Sequence, residues 1–334
     1  MVDSKVYMFE VGWRDDVAEM TRRFSLSYFV RNDGSPNEVS LYNIKTRKTF
    51  LKRGNYGDYR LDEFFKGGKV TVCARLLEIL GYQNKEAKEY FESRASGHMV
   101  CVIPSSHTAE TGRVLHAAAQ KGFLITNLRT AYEPAGGASV YAELMGSDSA
   151  EEFSRSLASM LGEGVVDVRA PSEATDRVFS AKGETTATLD SCSVCVIKPH
   201  AVKEGNAGAI ISEIFDAGLG ISAMRLLNME RSEAEDFSEV YRTVLPPNEY
   251  TGMVAQLASG PCIAIEVRGD YDTVGRLRAL CGPIDVEIAQ ALRPHTIRAK
   301  YGKKDKRELN AVHCTDLPDD GVLESHYFFE TLNQ

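Results

Sequence analysis

The sequence has 334 residues, 43% of them hydrophobic and 26% charged, which is typical of folded globular domains and suggests two or three of them. The formal net charge of -8 comes without a large cluster of Lys and Arg, which argues against nucleic acid as a partner. No apolar run is long enough to cross a membrane, the N-terminal residues do not resemble a signal peptide, and the seven cysteines are odd in number. We therefore expect a cytoplasmic protein with reduced thiols.

Residues 1–90 predict a compact β domain with a short closing helix. Three segments alternate apolar with polar residues, as strands with one buried face do. They are 24–30, 38–44 and 69–72. Asn32-Asp33-Gly34-Ser35 is typical of a turn between two of these strands. The segment 45–53 is basic, as a solvated hairpin can be, and the domain shows no catalytic arrangement of residues.

The remaining chain contains an imperfect internal repeat. Val100-Cys101-Val102-Ile103 recurs as Val194-Cys195-Val196-Ile197, and each copy continues with a Gly-led helical pattern that ends at a Gly turn. Further along, the first copy lacks about 27 residues that form two helical patterns in the second copy. We expect the first, truncated copy to occupy residues 97–188 and the second copy residues 191–334.

The second copy predicts an α/β fold of ferredoxin-like type, with helices on a small antiparallel sheet. Its predicted strands are 193–198, 221–229 and 262–268, and its predicted helices are 207–217, 232–244, 250–259, 272–281 and 321–330. A polar loop is predicted between the helix that ends at residue 281 and His313. Cys192 and Cys195 have the spacing of zinc and redox sites, but residues three apart in a strand point to opposite faces. We therefore predict no metal site here.

His313 is the strongest candidate for chemistry. A histidine that transfers a phosphoryl group needs an unprotonated attacking nitrogen, a partner for its other nitrogen, and cations around the phosphate. Lys198 ends the first strand of the second copy, while Arg278 lies on a later helix and Arg298 precedes the His313 segment. Glu324 lies eleven residues after His313, on the final helix, where its carboxylate could orient the imidazole. Each of these residues alone is more typical of a protein surface.

Residues 191–332 resemble the nucleoside diphosphate kinase family through segments and single residues in the family's order. These are Val196-Ile197-Lys198-Pro199, Tyr241, Ser259-Gly260-Pro261, Arg278, Arg298 and Asn310-Ala311-Val312-His313. The resemblance implies a ping-pong transfer of the γ-phosphate between nucleoside tri- and diphosphates through a phosphohistidine, with Mg²⁺ on the phosphates. It implies that His313 is the nucleophile, that Glu324 orients it, and that Thr315 replaces a serine hydroxyl. It also implies five residues at phosphate- and sugar-binding positions, namely Lys198, Tyr241, Arg278, Arg298 and Asn310.

The second copy departs from the family pattern in ways that predict weaker nucleotide contacts. Glu249 stands where the family has a base-stacking aromatic residue, and Ile284 stands where it has a phosphate-binding threonine. Cys314 replaces a glycine beside the nucleophile. The interval from Arg298 to His313 is about two residues longer than in the family, and a misplacement of about 1 Å can cost on the order of 100-fold in rate.

The first copy resembles the same family but lacks its catalytic groups. Pro104 stands where the strand-end lysine belongs, and no histidine occurs between His116 and His200. We therefore expect this copy to serve in packing, in a dimer-like pseudo-symmetry with the second copy, or in partner contact.

The domain order of the whole chain resembles one branch of the family. The leading domain is similar to the DM-10 domain, a PH-like β fold of axonemal proteins. Members of this branch are associated with ciliary doublet microtubules as luminal inner proteins and with centrosomal γ-tubulin complexes. The resemblance implies a cytoskeletal location in the axoneme of cilia or flagella. It also implies tubulin, other axonemal inner proteins and nucleoside di- and triphosphates as partners.

Three functions stay open from the sequence. The first is a structural role in which kinase-like folds serve as tubulin-binding blocks. The second is nucleoside diphosphate kinase activity in the second copy alone, and the third is nucleotide sensing without turnover. A monomer is expected, because the built-in copy could replace a subunit contact.

Overall fold

The computed structural model describes residues 5–15, 18–133, 136–304 and 306–334. Its contacts divide the chain into two units, Met1–Ala95 and Ser96–Gln334. Both kinase-like segments that the sequence predicts, 97–188 and 191–334, therefore lie in the second unit. None of the helices in the described ranges combines the length and the apolar character needed to span a bilayer.

The first unit is a six-stranded sheet followed by one helix, so the prediction of a β-rich N-terminal region is confirmed. Its elements are β1 (Val6–Asp15), β2 (Met20–Phe29), β3 (Glu38–Asn43), β4 (Lys48–Gly54), β5 (Lys69–Val72), β6 (Arg75–Tyr82) and α1 (Lys85–Glu92). The strand order is β4-β3-β2-β1-β6-β5, and every neighbouring pair is antiparallel. Phe24, Leu26 and Tyr28 alternate along β2 and are buried, because successive strand residues point to opposite faces.

The second unit contains both copies of the repeat. The first copy consists of β7 (His98–Ile103), α2 (Thr111–Gln120), β8 (Leu124–Tyr132), β9 (Ala138–Met145), α3 (Ala150–Leu161), β10 (Asp167–Arg169) and α4 (Glu173–Ser180). The second copy consists of β11 (Cys192–Ile197), α5 (Pro199–Lys203), α6 (Ala207–Asp216), β12 (Gly220–Asn228), α7 (Arg231–Phe237), α8 (Pro247–Leu257), β13 (Pro261–Arg268), α9 (Thr273–Cys281), α10 (Val286–Leu292), α11 (Ile297–Tyr301), β14 (Val312–Cys314) and α12 (Asp320–Phe329).

The predicted strands of the second copy are confirmed to within one residue at each end. The predicted polar loop before His313 is wrong in part, because it contains α10 and α11. These helices are only seven and five residues long, and Gly282, Pro283 and Pro294 interrupt the apolar pattern around them. Such breaks are typical of loops, so the pattern concealed both helices.

One antiparallel sheet joins the two copies. Its order is β10-β7-β9-β8-β12-β13-β11-β14, so each strand of the first copy has its counterpart at the matching place in the other half. The equivalent strands β8 and β12 are antiparallel neighbours at the centre, as an approximate two-fold axis requires. β8 and β9 are joined by only five residues, which leaves no room for the helical pair α7 and α8 of the second copy.

The junction between the copies places two arginines opposite each other. Arg129 on β8 is buried, and Arg225 on β12 is half-buried and lies directly across from it. Arg129 donates to the carbonyl oxygens of Ala181 and Glu184, both at 2.6 Å, and Arg225 donates to that of Leu332 at 2.8 Å. Burial, together with the charge of Arg129, lowers the pKa of Arg225 to about 10. Backbone carbonyls from both copies therefore solvate the paired charges.

The helices α2 and α6 cross at a pair of equivalent glycines. A Cβ atom on Gly208 would lie 2.2 Å from the backbone nitrogen of His116, and one on Gly112 would lie 2.5 Å from that of Ser212. Only glycine therefore permits this approach of the two helices. One hydrophobic core runs through both copies beneath them, and its members include Leu128 and Ile265.

Candidate active site

His313 lies on β14, the short strand at the edge of the joint sheet, opposite Val196 of β11. Its side chain is only 11% exposed. Its Nε2 atom lies 3.0 Å from Oε2 of Glu324 on α12, and Thr315 donates its hydroxyl to the same Oε2 at 2.8 Å. The structure thus brings together the three residues that the sequence suggested for catalysis.

Glu324 determines which nitrogen of His313 carries the hydrogen atom. The carboxylate accepts a hydrogen bond from the protonated Nε2, and a neutral imidazole then carries its free electron pair on Nδ1. Phe237 packs edge-on against the imidazole, with ring centroids 5.0 Å apart, and restricts its rotation. Burial disfavours the imidazolium form, but the charge and hydrogen bond of Glu324 outweigh it, so the pKa of His313 is raised.

Asp316 connects two of the predicted nucleotide-binding residues. Tyr241 donates its hydroxyl to Oδ2 of Asp316 at 2.5 Å, and Arg278 forms an ion pair with Oδ1. Burial would raise the pKa of Asp316, but the hydrogen bonds from Tyr241 and Arg278 lower it overall. Asp316 was absent from the predicted site, although it follows His313 by three residues in the same polar segment. Its position in that segment was the available signal.

A cleft of about 540 Å³ lies beside this network. Its lining residues are Gly275, Arg278, Ala279, Gly282, Pro283, Ile284, Arg293, Arg298 and Asp316. The three arginines give the cleft the planar cationic donors that bind phosphate. Arg278 and Arg298 were predicted from the sequence, whereas Arg293 was not, because it matches no position of the family resemblance.

Lys198 and Arg298 are more deeply buried than ordinary phosphate ligands at a surface. Lys198 is 4% exposed and donates to the Glu308 carbonyl at 3.1 Å. Arg298 is 7% exposed and donates to the carbonyls of Gly282 at 2.7 Å and Val312 at 3.2 Å, so it joins the cleft wall to the strand that carries His313. Burial first, and then the charge of Arg298, lowers the pKa of Lys198 to about 7.

Asn310 combines a satisfied donor with an unsatisfied acceptor. Its Nδ2 donates to the carbonyl of Ile284 at 3.2 Å. Its Oδ1 is buried and has no hydrogen-bond partner within the described part of the chain. Buried polar atoms without partners are uncommon, and a ligand hydroxyl would satisfy this one. Glu249, at the position where the family resemblance expects an aromatic residue, forms an ion pair with Arg307 at 2.8 Å.

The equivalent place in the first copy holds a different group. His313 lies opposite Val196 on β11, and the residue opposite the matching Val102 on β7 is Asp167. Pro104 occupies the strand-end position that Lys198 occupies in the second copy. An exposed carboxylate therefore stands in the first copy where the second has an imidazole.

Known proteins resemble both the whole chain and its second copy. A model of the nucleoside diphosphate kinase family matches residues 191–333. Nucleoside diphosphate kinase homolog 7 of Mus musculus is 35% identical over 99% of this chain and 94% of its own length. A nucleoside diphosphate kinase of Aquifex aeolicus is 30% identical over 42% of this chain and 94% of its own length. The crystal structure of an Aquifex aeolicus nucleoside diphosphate kinase is 28% identical and covers 43% of this chain and 97% of its own, with a TM-score of 0.39.

Proposed function

This chain belongs to the nucleoside diphosphate kinase homolog 7 group of the nucleoside diphosphate kinase family, and from that premise we propose that its second copy transfers the γ-phosphate of a nucleoside triphosphate to a nucleoside diphosphate through His313. One observation carries this proposal. Glu324 holds Nε2 of His313 and leaves the electron pair on Nδ1, while a cleft lined by three arginines lies next to Asp316 of the same segment.

The reaction would run in two half-reactions. Nδ1 of His313 attacks the γ-phosphorus, the new N–P bond forms as the bond to the β-γ bridging oxygen breaks, and the nucleoside diphosphate leaves. A terminal phosphate oxygen of a second nucleoside diphosphate then attacks the phosphorus, and the imidazole leaves with its electron pair. Glu324 stabilises the positive charge that develops on the imidazole, and Thr315 holds the carboxylate in place.

The remaining residues would bind the nucleotide. Arg278 lies at the cleft wall and would exchange Asp316 for phosphate oxygens, while Arg293 faces the same cleft. The unsatisfied Oδ1 of Asn310 fits a sugar hydroxyl. Mg²⁺ would arrive with the nucleotide and neutralise phosphate charge, because Mg²⁺ is usually bound through substrate phosphates and only one or two protein carboxylates.

Labelling with γ-labelled ATP tests the proposal. We expect an acid-labile phosphate on the purified full chain, lost in His313→Ala and kept in His326→Ala. His326 is the matched control because it lies on α12, is partly exposed, and pairs with Glu330 away from Glu324. No label on the wild type, or equal label on His313→Ala, would refute transfer. Nucleotide binding without any label would instead indicate a sensor.

We propose a second, structural role in the axoneme of cilia or flagella, in which the chain binds tubulin and neighbouring inner proteins of doublet microtubules, or γ-tubulin complexes. Two features support it. The first copy is fused into the joint sheet without the catalytic groups. Residues 39–57 carry five Lys and Arg and no Asp or Glu, and they include the edge strand β4 with Phe50 43% exposed. Such an edge suits an acidic protein surface.

Microtubule co-sedimentation tests this second role. We expect the full chain to pellet with microtubules, and the charge-reversal variant Lys45→Glu/Lys48→Glu to pellet at least several-fold less. Lys85→Glu/Lys88→Glu changes the same number of charges on α1 and should behave as wild type. Cryo-electron microscopy of native doublets would locate the chain, and a chain found only in the soluble pool would rule the role out.

We also propose domain assignments at the level of fold. The first unit would be the PH-like DM-10 domain, supported by its antiparallel sheet and closing helix. Residues 97–188 would be a truncated kinase-like domain, supported by the matching places of its four strands in the joint sheet.

A further inference from the structure

Ala311, two residues before His313, has a backbone conformation that favours glycine. Its φ angle is +70°, and the residue is fully buried. A side chain with a Cβ atom disfavours this left-handed region, so neighbouring contacts must hold the residue there. Since only Val312 separates Ala311 from His313, the backbone direction at Ala311 sets where the imidazole points.

Both polar backbone groups of Ala311 are held by the start of α5. Its carbonyl accepts from the backbone N–H of Lys198 at 2.9 Å. Its own N–H donates to Nε2 of His200 at 3.3 Å. Two contacts from a segment of three residues thus fix the strained residue on either side of its Cα atom.

The surroundings of His200 assign its proton. Because Nε2 accepts from Ala311, a neutral imidazole must carry its hydrogen on Nδ1. Nδ1 lies 3.0 Å from the side-chain amide of Gln256, whose Nε2 faces the ring, while the buried Oε1 of Gln256 has no partner in the described residues. Exchanging the two amide atoms lets Oε1 accept from Nδ1, as a neutral ring whose Nε2 accepts requires. Burial first, and then the charge of Lys198, lowers the pKa of His200 to about 4, so the ring is neutral near pH 7.

We propose that His200 is a positioning residue for phosphoryl transfer: oriented by Gln256, its neutral imidazole holds Ala311 in the left-handed conformation and thereby aims His313 at the γ-phosphate. This inference rests on the proposed kinase function of the second copy. Nothing in the sequence around His200 marked it, since a single half-buried histidine is ordinarily a structural residue.

Three variants of the full chain test the inference by the rate of phosphohistidine formation. His200→Ala should lower kcat about 10- to 100-fold with little change in KM, because the nucleophile is misdirected while the cleft is intact. His200→Gln, whose amide oxygen can accept from Ala311, should recover much of the rate. The double variant His200→Ala/Ala311→Gly should also recover it, because glycine adopts a positive φ without help.

The outcomes separate the inference from the function on which it rests. A wild-type rate in folded His200→Ala would overturn it, and so would a slow His200→Ala that glycine at position 311 does not rescue. If His200→Ala does not fold, Gln256→Leu removes the orienting acceptor, and a wild-type rate there would overturn the inference equally. If the wild type takes no label, the kinase proposal fails. Hydrogen exchange at the Ala311 amide then still tests whether His200 holds Ala311. Exchange as slow in His200→Ala as in the wild type would overturn the inference.

Discussion

Nucleotide binding should make the second copy take up a proton at mildly alkaline pH. Lys198 is almost fully buried, and burial together with Arg298 lowers its pKa to about 7 from an ordinary value of 10.5. At pH 8 only about one tenth of the amines therefore carry a charge. A phosphate bound at Nζ would favour the charged form and return the pKa toward its ordinary value. About 0.9 proton would then enter per nucleotide at pH 8, about 0.5 at pH 7 and about 0.1 at pH 6.

Calorimetric titration in buffers of different ionisation enthalpy measures this uptake directly. A His313→Gln background removes the titration of the nucleophile and prevents turnover. Lys198→Arg is the matched control, because a guanidinium stays charged throughout this range and should abolish the dependence on buffer. A binding enthalpy at pH 8 that is the same in all buffers would refute the reasoning. Equal uptake at pH 6 and pH 8 would show that another group titrates.

Three further changes probe the site and the junction. Glu324→Gln should lower the pH midpoint of labelling, because the carboxylate charge no longer raises the pKa of His313. It should also reduce the maximal rate about 10-fold or more. An unchanged midpoint in a pH–rate profile would contradict this prediction. Because the pKa of His313 is raised in the folded state, the His313–Glu324 pair stabilises the fold fully below about pH 6.5 and loses this contribution as the pH rises through the folded-state pKa. The melting temperatures of wild type and Glu324→Gln should therefore converge at high pH. Gly208→Ala should lower the free energy of unfolding by about 1–3 kcal/mol in urea titrations, whereas Gly220→Ala, whose Cβ would meet nothing closer than 3.8 Å, should change it little. Asn333→Ala should cost about 1–3 kcal/mol, because it removes a donor to the Glu184 carbonyl and an acceptor for the buried guanidinium at the junction; stability equal to wild type would show that these bonds contribute nothing.

Local patterns predicted the regular elements well where the elements are long. Buried strands such as β11 and β13 consist mostly of apolar residues, interrupted by Ser193 in β11 and by Glu266 in β13, and their bounds follow from those apolar residues. β14 has only three residues, so it shows no period, and α10 and α11 are too short to show one between their Gly and Pro neighbours. The spacing of these residues carries little information, and tertiary packing decides their structure.

In the candidate site, too, contacts between residues close in the sequence could be predicted and contacts between distant residues could not. Glu324 could be placed beside His313 because it lies on the helix that follows the His313 segment, and the family resemblance implied the role of Thr315. The contacts of Asp316 with Tyr241 depend on residues 75 apart in the chain, and no local pattern encodes them. The low pKa of Lys198 follows from its burial and from the charge of Arg298, and both depend on tertiary packing. Sequence also could not show that both copies share one sheet, because that depends on which strand edges meet.

The joint sheet also affects folding of the nascent chain during synthesis. Equivalent residues of the two copies, such as Gly112 and Gly208, are separated by 96 positions. At ribosomal speeds of about 5–20 residues per second, the first copy waits roughly 5–20 s for its partner strand. During that interval the edge of β8 is open, and an open edge is a template for any matching strand. β12 of a neighbouring nascent chain has the same sequence as the chain's own β12, so the first copy stays open to strand exchange until the second copy emerges.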